Sequence, residues 1–263
     1  MGNNNRAGKD TALEMAGVHS KRRHFVKRMG KKLFRGVNSY LAAASKVPDA
    51  PVLEKDLFAW AQDFETDWKA VRAELDQMLE FRDSLPRFQD ISPDQAKISP
   101  DDDWRTLVLY GFGSRSEAVC KRCPETVRLL ERVPGLQTAF FSILAPGKHV
   151  PRHRGVTKGL VRCHLGLKIP RESEKCRMDV GGVNCVWREG EALFFDDTFH
   201  HEVWNETGEE RAVLLFDFER PMTLGGRVLT HVLLRLVRMS AYFKDAKRNQ
   251  DAWEREYAAM LQQ

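Results

Sequence analysis

The stretch from Leu144 to Arg220 limits what this chain can fold into more than any other part of it. Short β-branched segments alternate there with Gly and Pro, and histidine and arginine recur on them. The first is Pro146-Gly147-Lys148-His149-Val150-Pro151-Arg152-His153-Arg154-Gly155. The next is Gly159-Leu160-Val161-Arg162-Cys163-His164-Leu165-Gly166-Leu167. Then come Phe195-Asp196-Asp197-Thr198-Phe199-His200-His201-Glu202-Val203-Trp204 and Arg211-Ala212-Val213-Leu214-Leu215-Phe216-Asp217. Such a pattern predicts a small β-barrel or jelly roll with polar groups gathered in its mouth.

Parity along the strands sorts those groups. Successive strand side chains point to opposite faces. Arg162 and His164 therefore share one face, and Val161, Cys163 and Leu165 share the other. Unpaired buried charge is costly, so a cation facing the interior requires an anionic or metallic partner. Arg211 opens the last strong strand, and Ser142 lies on the strand before the first motif. These four groups are candidates to ring an anion, with His153 and His201 candidates to hold a metal beside it.

These blocks resemble the aspartyl/asparaginyl β-hydroxylases, a branch of the iron(II)/2-oxoglutarate dioxygenases. The resemblance runs from Trp104 to Pro221. It rests on His153-Arg154-Gly155, Arg162 to Leu167, Phe195 to Trp204, and Arg211 ten residues beyond His201. It implies an α+β fold with a double-stranded β-helix core, cupin-like, flanked by N- and C-terminal helices. It also implies a hydroxylase that uses Fe(II), O2 and 2-oxoglutarate as co-substrate. By resemblance His153 and His201 hold the iron, and the motif selects His201 over His200. An ordinary facial triad has a carboxylate two residues after the first histidine. That position is Gly155 here, a departure the resembled family shares, with water in place of the carboxylate. By the same resemblance Arg211 and Ser142 take the distal carboxylate of 2-oxoglutarate, and Arg162 and His164 take the iron-side one. Asp196 and Asp197 have two readings, an acceptor that orients a ligand or water and a plain turn before His201. Pro151 prevents a helix that would place His149 with His153, so His149 is expected to be exposed.

Two substrate classes follow from resemblance. One is Asp or Asn of a peptide or small molecule. The other is a lipid acyl chain at the cytosolic membrane face, as in the bacterial lipid A 2-hydroxylases. The chain resembles the latter in Val133-Pro134-Gly135, in Glu219-Arg220-Pro221-Met222 and in its basic C-terminal extension. It departs from them at Gly155, where they have aspartate, and in having no N-terminal spanning helix. The histidine motifs favour the amino-acid enzymes. A third reading, a non-catalytic metal-binding module, is opposed by the retained arginines.

Composition divides the chain further. Residues 1–45 read as a basic arm, 46–221 as the dioxygenase domain and 222–263 as a helical extension. Ten Lys/Arg against Asp10 and Glu14 put the first 35 residues at +8, so of the total +5 the remainder carries −3. The domain is thus not basic, and no nucleic-acid partner is expected. Within 19–45, Phe25, Val26, Met29, Leu33 and Phe34 recur at helical spacing among lysines and arginines. That segment reads either as a helix on an anionic membrane surface or as a solvated arm. No apolar run of about 18 residues and no signal sequence is present, and five cysteines make no disulfide framework. The expected location is the cytoplasm, with peripheral attachment to the inner membrane face as an option. Residues 51–82 are expected to be helical, with aromatic residues packed on the outer sheet, and 83–103 to be an irregular loop. A strand is expected over 104–110 and a helix over Pro124–Leu130. Cys120 and Cys123 form a lone CxxC, read as structural thiols. Residues 222–243 read as an amphipathic helix packed on the barrel, with a membrane-interface helix as the alternative. Residues 245–263 read as an exposed charged helix.

Overall fold

A computed structural model describes residues 35–82, 85–91, 99, 101–111, 113–239 and 241–260. The basic segment 19–34 lies outside the described residues. The strands are β1 (Val52–Leu53), β2 (Trp104–Gly111), β3 (Ser114–Arg115), β4 (Leu136–Leu144), β5 (His149–His153), β6 (Leu160–Lys168), β7 (Cys176–Val180), β8 (Val183–Val186), β9 (Ala192–Phe195), β10 (His201–Asn205) and β11 (Arg211–Glu219). The helices are α1 (35–43), α2 (Ala61–Leu79), α3 (Phe88–Ile91), α4 (Glu117–Arg122), α5 (Pro124–Leu130), α6 (Leu224–Arg238) and α7 (Ala241–Met260).

Strand β11 stands in the middle of a seven-stranded sheet of order β1-β9-β6-β11-β4-β2-β3. A second sheet has the order β5-β10-β7-β8. From β4 onward the chain passes back and forth between the sheets, with β7 and β8 as a hairpin within the smaller one. Antiparallel pairing throughout makes this the jelly roll expected from the sequence.

The central strands are buried on both faces, which splits the core in two. Outward side chains such as Phe141, Val161, Leu165, Leu214 and Phe216 form one cluster with Phe64, Val71, Leu75 and Met78 of α2. Inward side chains, among them Trp104, Leu144, Phe195, Val213 and Leu215, meet Val150, Met178, Val180 and Trp187 from the smaller sheet side. Each such buried side chain contributes about 1.5–3 kcal/mol of transfer free energy.

The apolar spacing of Phe64, Trp68, Val71, Leu75 and Met78 predicts α2, and the helix is there. It begins only at Ala61. The expected helical stretch before it is a strand and a single 3₁₀ turn, because Val52 and Leu53 pair with Phe195 and Phe194 at the sheet edge. The 83–103 loop contains α3, and Arg87 there pairs with Asp90 and Asp102. Residues 35–45, assigned to the arm by sequence, sit on the folded body. Leu41 is fully buried, and Ala44 and Lys46 exchange backbone hydrogen bonds with Thr223 and Pro221.

Helix α6 packs on the body, as one of its two readings expects, but not through its apolar stripe. Of the stripe Val228, Leu229, Val232, Leu233, Leu236 and Val237, the first, third and fifth point outward. The side that is buried carries Gly226 and Thr230. Small residues permit close approach there, so the helix is turned with much of its stripe to solvent.

Glu74 supplies a polar joint in the outer core. Its carboxylate accepts from the Glu125 and Thr126 backbone N–H groups at 2.6 and 2.9 Å and from the Thr126 hydroxyl at 2.6 Å. It thereby satisfies orphan donors at the start of α5, whose first residue is Pro124. Glu74→Ala leaves those buried donors unmet. It should cost about 2–4 kcal/mol in urea-induced unfolding at pH 7.

Candidate active site

Two histidines face each other across neighbouring strands. His201 on β10 is the register partner of His153 on β5, and their ring centroids lie 4.1 Å apart. The pairing is irregular between His201 and Val203, because Val203 pairs with Val150 rather than with Pro151. One extra residue on β5 is accommodated at Pro151 and Arg152, and Pro151 has no N–H to lose from the ladder. The Pro151 carbonyl then lies 2.8 Å from His153 Nδ1, and the Phe199 carbonyl lies 3.0 Å from His201 Nδ1. Each Nδ1–H donates to backbone, so each Nε2 keeps a free lone pair, the usual state of a metal-ligating imidazole. Burial lowers the His153 pKa and pushes that of His201 down to about 3, helped by the neighbouring His153. Both are neutral donors at pH 7. His200 is exposed, and so is His149, which pairs with Glu202 and stacks on Trp204.

A cationic interior lies beside this pair. Arg211 is 2% exposed, and no carboxylate lies within ion-pair distance of it among the described residues. Its NH1 reaches the Ser142 carbonyl at 3.4 Å, its Nε has no hydrogen-bond partner, and its guanidinium lies 4.5 Å from the Trp187 ring centre. Burial pushes its pKa down to about 10. The Ser142 hydroxyl accepts from Trp104 Nε1 at 3.1 Å, which leaves its own proton to donate. The Thr106 hydroxyl, on the residue paired with Ser142, is buried without a partner. His164 Nδ1 accepts from Trp187 Nε1 at 3.3 Å, so its Nε2 carries the hydrogen, and that atom is buried and unpartnered. Burial, with Arg211, Arg162 and His201 nearby, keeps His164 neutral.

Arg162 is engaged differently. It donates to both oxygens of Asp217 at 2.7 and 3.0 Å and lies 3.3 Å from Asp197. The structure thus brings Arg211 and Ser142 together and places His164 near both arginines, but it gives Arg162 a protein carboxylate. The two aspartates before His201 divide their work. Asp196 is fully buried, accepts from Arg220 at 2.5 Å and Lys158 at 2.9 Å, and holds the turn through Thr198. Asp197 faces Gly155. A Cβ on residue 155 would overlap the Asp197 carboxylate, and the Gly155 N–H donates to the Asp197 carbonyl at 2.6 Å. The space in which a side chain at 155 would begin is filled by a carboxylate from the other motif. Burial pushes the Asp197 pKa up to about 6, against the pull of Arg162.

Sequence reasoning missed Trp187, Trp104 and Asp217. Asp217 was findable, since it shares the β11 parity of Arg211 and is the one buried acid on that face, Glu219 standing at the strand end. Trp187 reaches the site from the loop after β8. Gly166 lets that loop pass directly over β6, where a side chain would strike the Arg188 carbonyl. No local pattern announces such a contact. Cys120 and Cys123 lie far from this chemistry in the outer core as free thiols, with the Cys120 pKa raised by burial to about 11.

The family model for aspartyl/asparaginyl beta-hydroxylase matches residues 65–221. The chain belongs to the aspartyl/asparaginyl β-hydroxylase family. Within its reach is the ornithine lipid ester-linked acyl 2-hydroxylase of Rhizobium tropici, 42% identical over 215 residues, which are 82% of this chain and 76% of that protein. The human aspartyl/asparaginyl beta-hydroxylase is 31% identical over 221 residues, 82% of this chain but 28% of the human protein. A prolyl-4-hydroxylase structure from Pseudomonas putida aligns with a TM-score of 0.37 at 20% identity, over 59% of this chain and 88% of that one. Membership of this family makes the chain a hydroxylase, and its sheet order gives it a jelly-roll core.

The histidine pair makes the fold acid-sensitive. An unfolded His201 titrates near its ordinary 6.5, while the folded one titrates at about 3. As pH falls the unfolded chain takes up the proton first, so stability is full above 6.5 and is lost toward 3. In chelator-treated protein, urea unfolding should show about 2 kcal/mol less stability at pH 5 than at pH 7 from this group alone. His201→Gln should lose less over the same interval.

Proposed function

We propose that this hydroxylase is an iron(II)- and 2-oxoglutarate-dependent dioxygenase, and that its substrate is a lipid-linked acyl chain. The observation that carries the co-substrate is Arg211, a buried cation with no protein carboxylate beside it. A buried guanidinium without a counter-ion is expensive, and a fork with a hydroxyl donor at hand suits the carboxylate of a small dianion.

The residues fit a two-histidine metal. His153 and His201 would hold it through Nε2, since both Nδ1 atoms are committed to backbone carbonyls. No group of three His, Cys, Asp or Glu is arranged to hold a metal among the described residues, so the remaining ligands would be co-substrate and water. Bound iron(II) would supply activation of O2, coupled to conversion of 2-oxoglutarate into succinate and carbon dioxide as one oxygen atom enters a C–H bond of the substrate. The protein positions and desolvates. Arg211 and Ser142 grip the distal carboxylate, and Trp187 forms a flat wall beneath the guanidinium. His164 offers one Nε2–H to the nearer carboxylate. Arg162 reaches that region with Asp217 already on it, so its part is to position Asp197. Asp197, ionised above about pH 6, would accept a hydrogen bond from a water held beside the histidine pair.

Identity of 42% to an acyl 2-hydroxylase against 31% to the human aspartyl/asparaginyl enzyme favours the lipid. The exposed apolar residues of α6 support it as well. A second reading, an Asp or Asn side chain, is favoured by the Gly155 motif. A peripheral cytoplasmic enzyme suits the lipid reading, and no helix among the described residues is long and apolar enough to cross a membrane.

Anaerobic reconstitution with iron(II) and 2-oxoglutarate, followed by admission of O2 and succinate detection, tests the cofactors. His201→Ala should abolish succinate formation, and unchanged turnover removes the metal assignment. Arg211→Ala should raise the 2-oxoglutarate KM by roughly 2–5 kcal/mol of lost pairing, at least about 30-fold. Arg211→Lys should recover part of that, because a point charge does not replace a fork. Mass spectrometry of products from aminolipids and from Asp- and Asn-containing peptides decides the substrate.

A further inference from the structure

We propose that α6, together with Tyr40 and the loop that leaves His153, is a docking surface for an anionic lipid bilayer. The proposal rests on the acyl-chain reading above and gives the site its approach to such a substrate. Leu224, Val228, Val232 and Leu236 are each spaced four residues apart, so they span an arc of about 120° on the helix. Leu224 is 76% exposed, and even Val232, the least exposed of the four, is half exposed; exposed Met239 continues the same face past the end of the helix. Tyr40 of α1 closes one side of a shallow groove of about 670 Å³ with Leu224, Val228 and Val232. Contiguous apolar surface of this kind marks an interaction site.

The rim of the patch is cationic. Arg227 lies on the helix beside the apolar arc, Arg235 falls within the arc near its Leu224 edge, and α6 contains no acid. Arg152 and Arg154 flank His153 and are exposed. None of these four arginines has an ion pair among the described residues, although arginines elsewhere on the protein, such as Arg72, Arg87, Arg128 and Arg177, do. Apolar residues on one side and arginines beside them fit a helix lying in the plane of an anionic interface, with apolar side chains below the headgroups.

The charge also decides between occupants. The chain segment 19–34 is apolar enough to fill the groove but carries seven Lys/Arg and no acid, so it would meet like charge. A second copy would bring the same arginine-rimmed face to its own image. An anionic bilayer meets both the apolar arc and the four arginines.

The patch is coupled to the site. The Val156 carbonyl accepts from Asn38 Nδ2 at 3.0 Å, and Lys158 N–H donates to Asn38 Oδ1 at 3.1 Å. Thr230 of α6 sits over Gly159. The loop from His153 to β6 is thus clasped between α1 and α6, and Val156 on it is exposed. An acyl chain drawn from the headgroup boundary would enter within a few residues of His153 and Gly155.

The test is co-sedimentation of the full-length protein with phosphatidylcholine vesicles, with and without phosphatidylglycerol. Wild type should bind the anionic vesicles. V228E/V232E should weaken partitioning on the order of tenfold. R227Q/R235Q should erase most of the preference for phosphatidylglycerol while leaving a salt-resistant remainder. Thermal unfolding and succinate production without lipid should match wild type in both variants, because these side chains are exposed and lie outside the site. Equal vesicle binding by wild type and V228E/V232E, or no binding by wild type, overturns the proposal. So does light scattering that shows wild type to be a lipid-free dimer that V228E/V232E makes monomeric. Binding through α6 without hydroxylation of any lipid leaves the surface standing and removes the acyl-chain reading. Hydroxylation of detergent-dispersed lipid with unaltered vesicle binding in V228E/V232E does the reverse.

Discussion

Burying a positive charge without its counter-ion is the constraint to which the interior answers. Strand β11 stands at the centre of the larger sheet, so both of its faces are dry. Arg211 and Asp217 lie on the same inward face, six residues apart. Asp217 neutralises Arg162 on the adjacent strand, and buried His164 and His201 and half-buried His153 are neutral. The charge of Arg211 is then left without a partner of its own, and Trp187, Ser142 and the empty donor of His164 surround it. On the proposed reading, an anion that enters finds donors that the fold has already oriented. Affinity from such a site comes from preorganisation more than from contact area.

Much of this was legible in the chain, for an identifiable reason. The period of two along β4, β6 and β11 fixes which side chains look inward, and register then carries them to a common volume. Parity alone put Arg162 with His164, and Pro and Gly marked the turns. What parity does not carry is distance across the interior. Whether Arg162 meets a ligand or Asp217 depends on the stagger between two strands 55 residues apart in sequence. The two readings of the Asp196-Asp197 pair were left open for a similar reason. The structure gives Asp196 the turn and Asp197 the site, a division set by Arg220 and Gly155 at opposite sides of one loop.

Helices were read with less success, because the apolar period shows that a stripe exists but not what covers it. α2 and α6 both carry one. In α2 the stripe meets the outer sheet. In α6 two small residues, Gly226 and Thr230, take the contact instead. Helical regions were also overextended: residues 51–60 pair with or turn against β9, where burying Leu53 outweighs local helix propensity.

The irregular pairing of β5 with β10 has a consequence for how this fold tolerates change. His153 and His201 face each other because β5 holds one residue more than its partner between Val150 and His153. With Val150 facing inward, regular pairing at this length would set Arg152 opposite His201 and turn His153 to the other face. The irregularity is what lets a residue three positions from Val150 share its face. A substitution of Arg152 alters one side chain, whereas straightening the pairing would exchange Arg152 for His153 opposite His201. The irregular pairing between Val150 and His153 is therefore under tighter constraint than the identity of Arg152 within it.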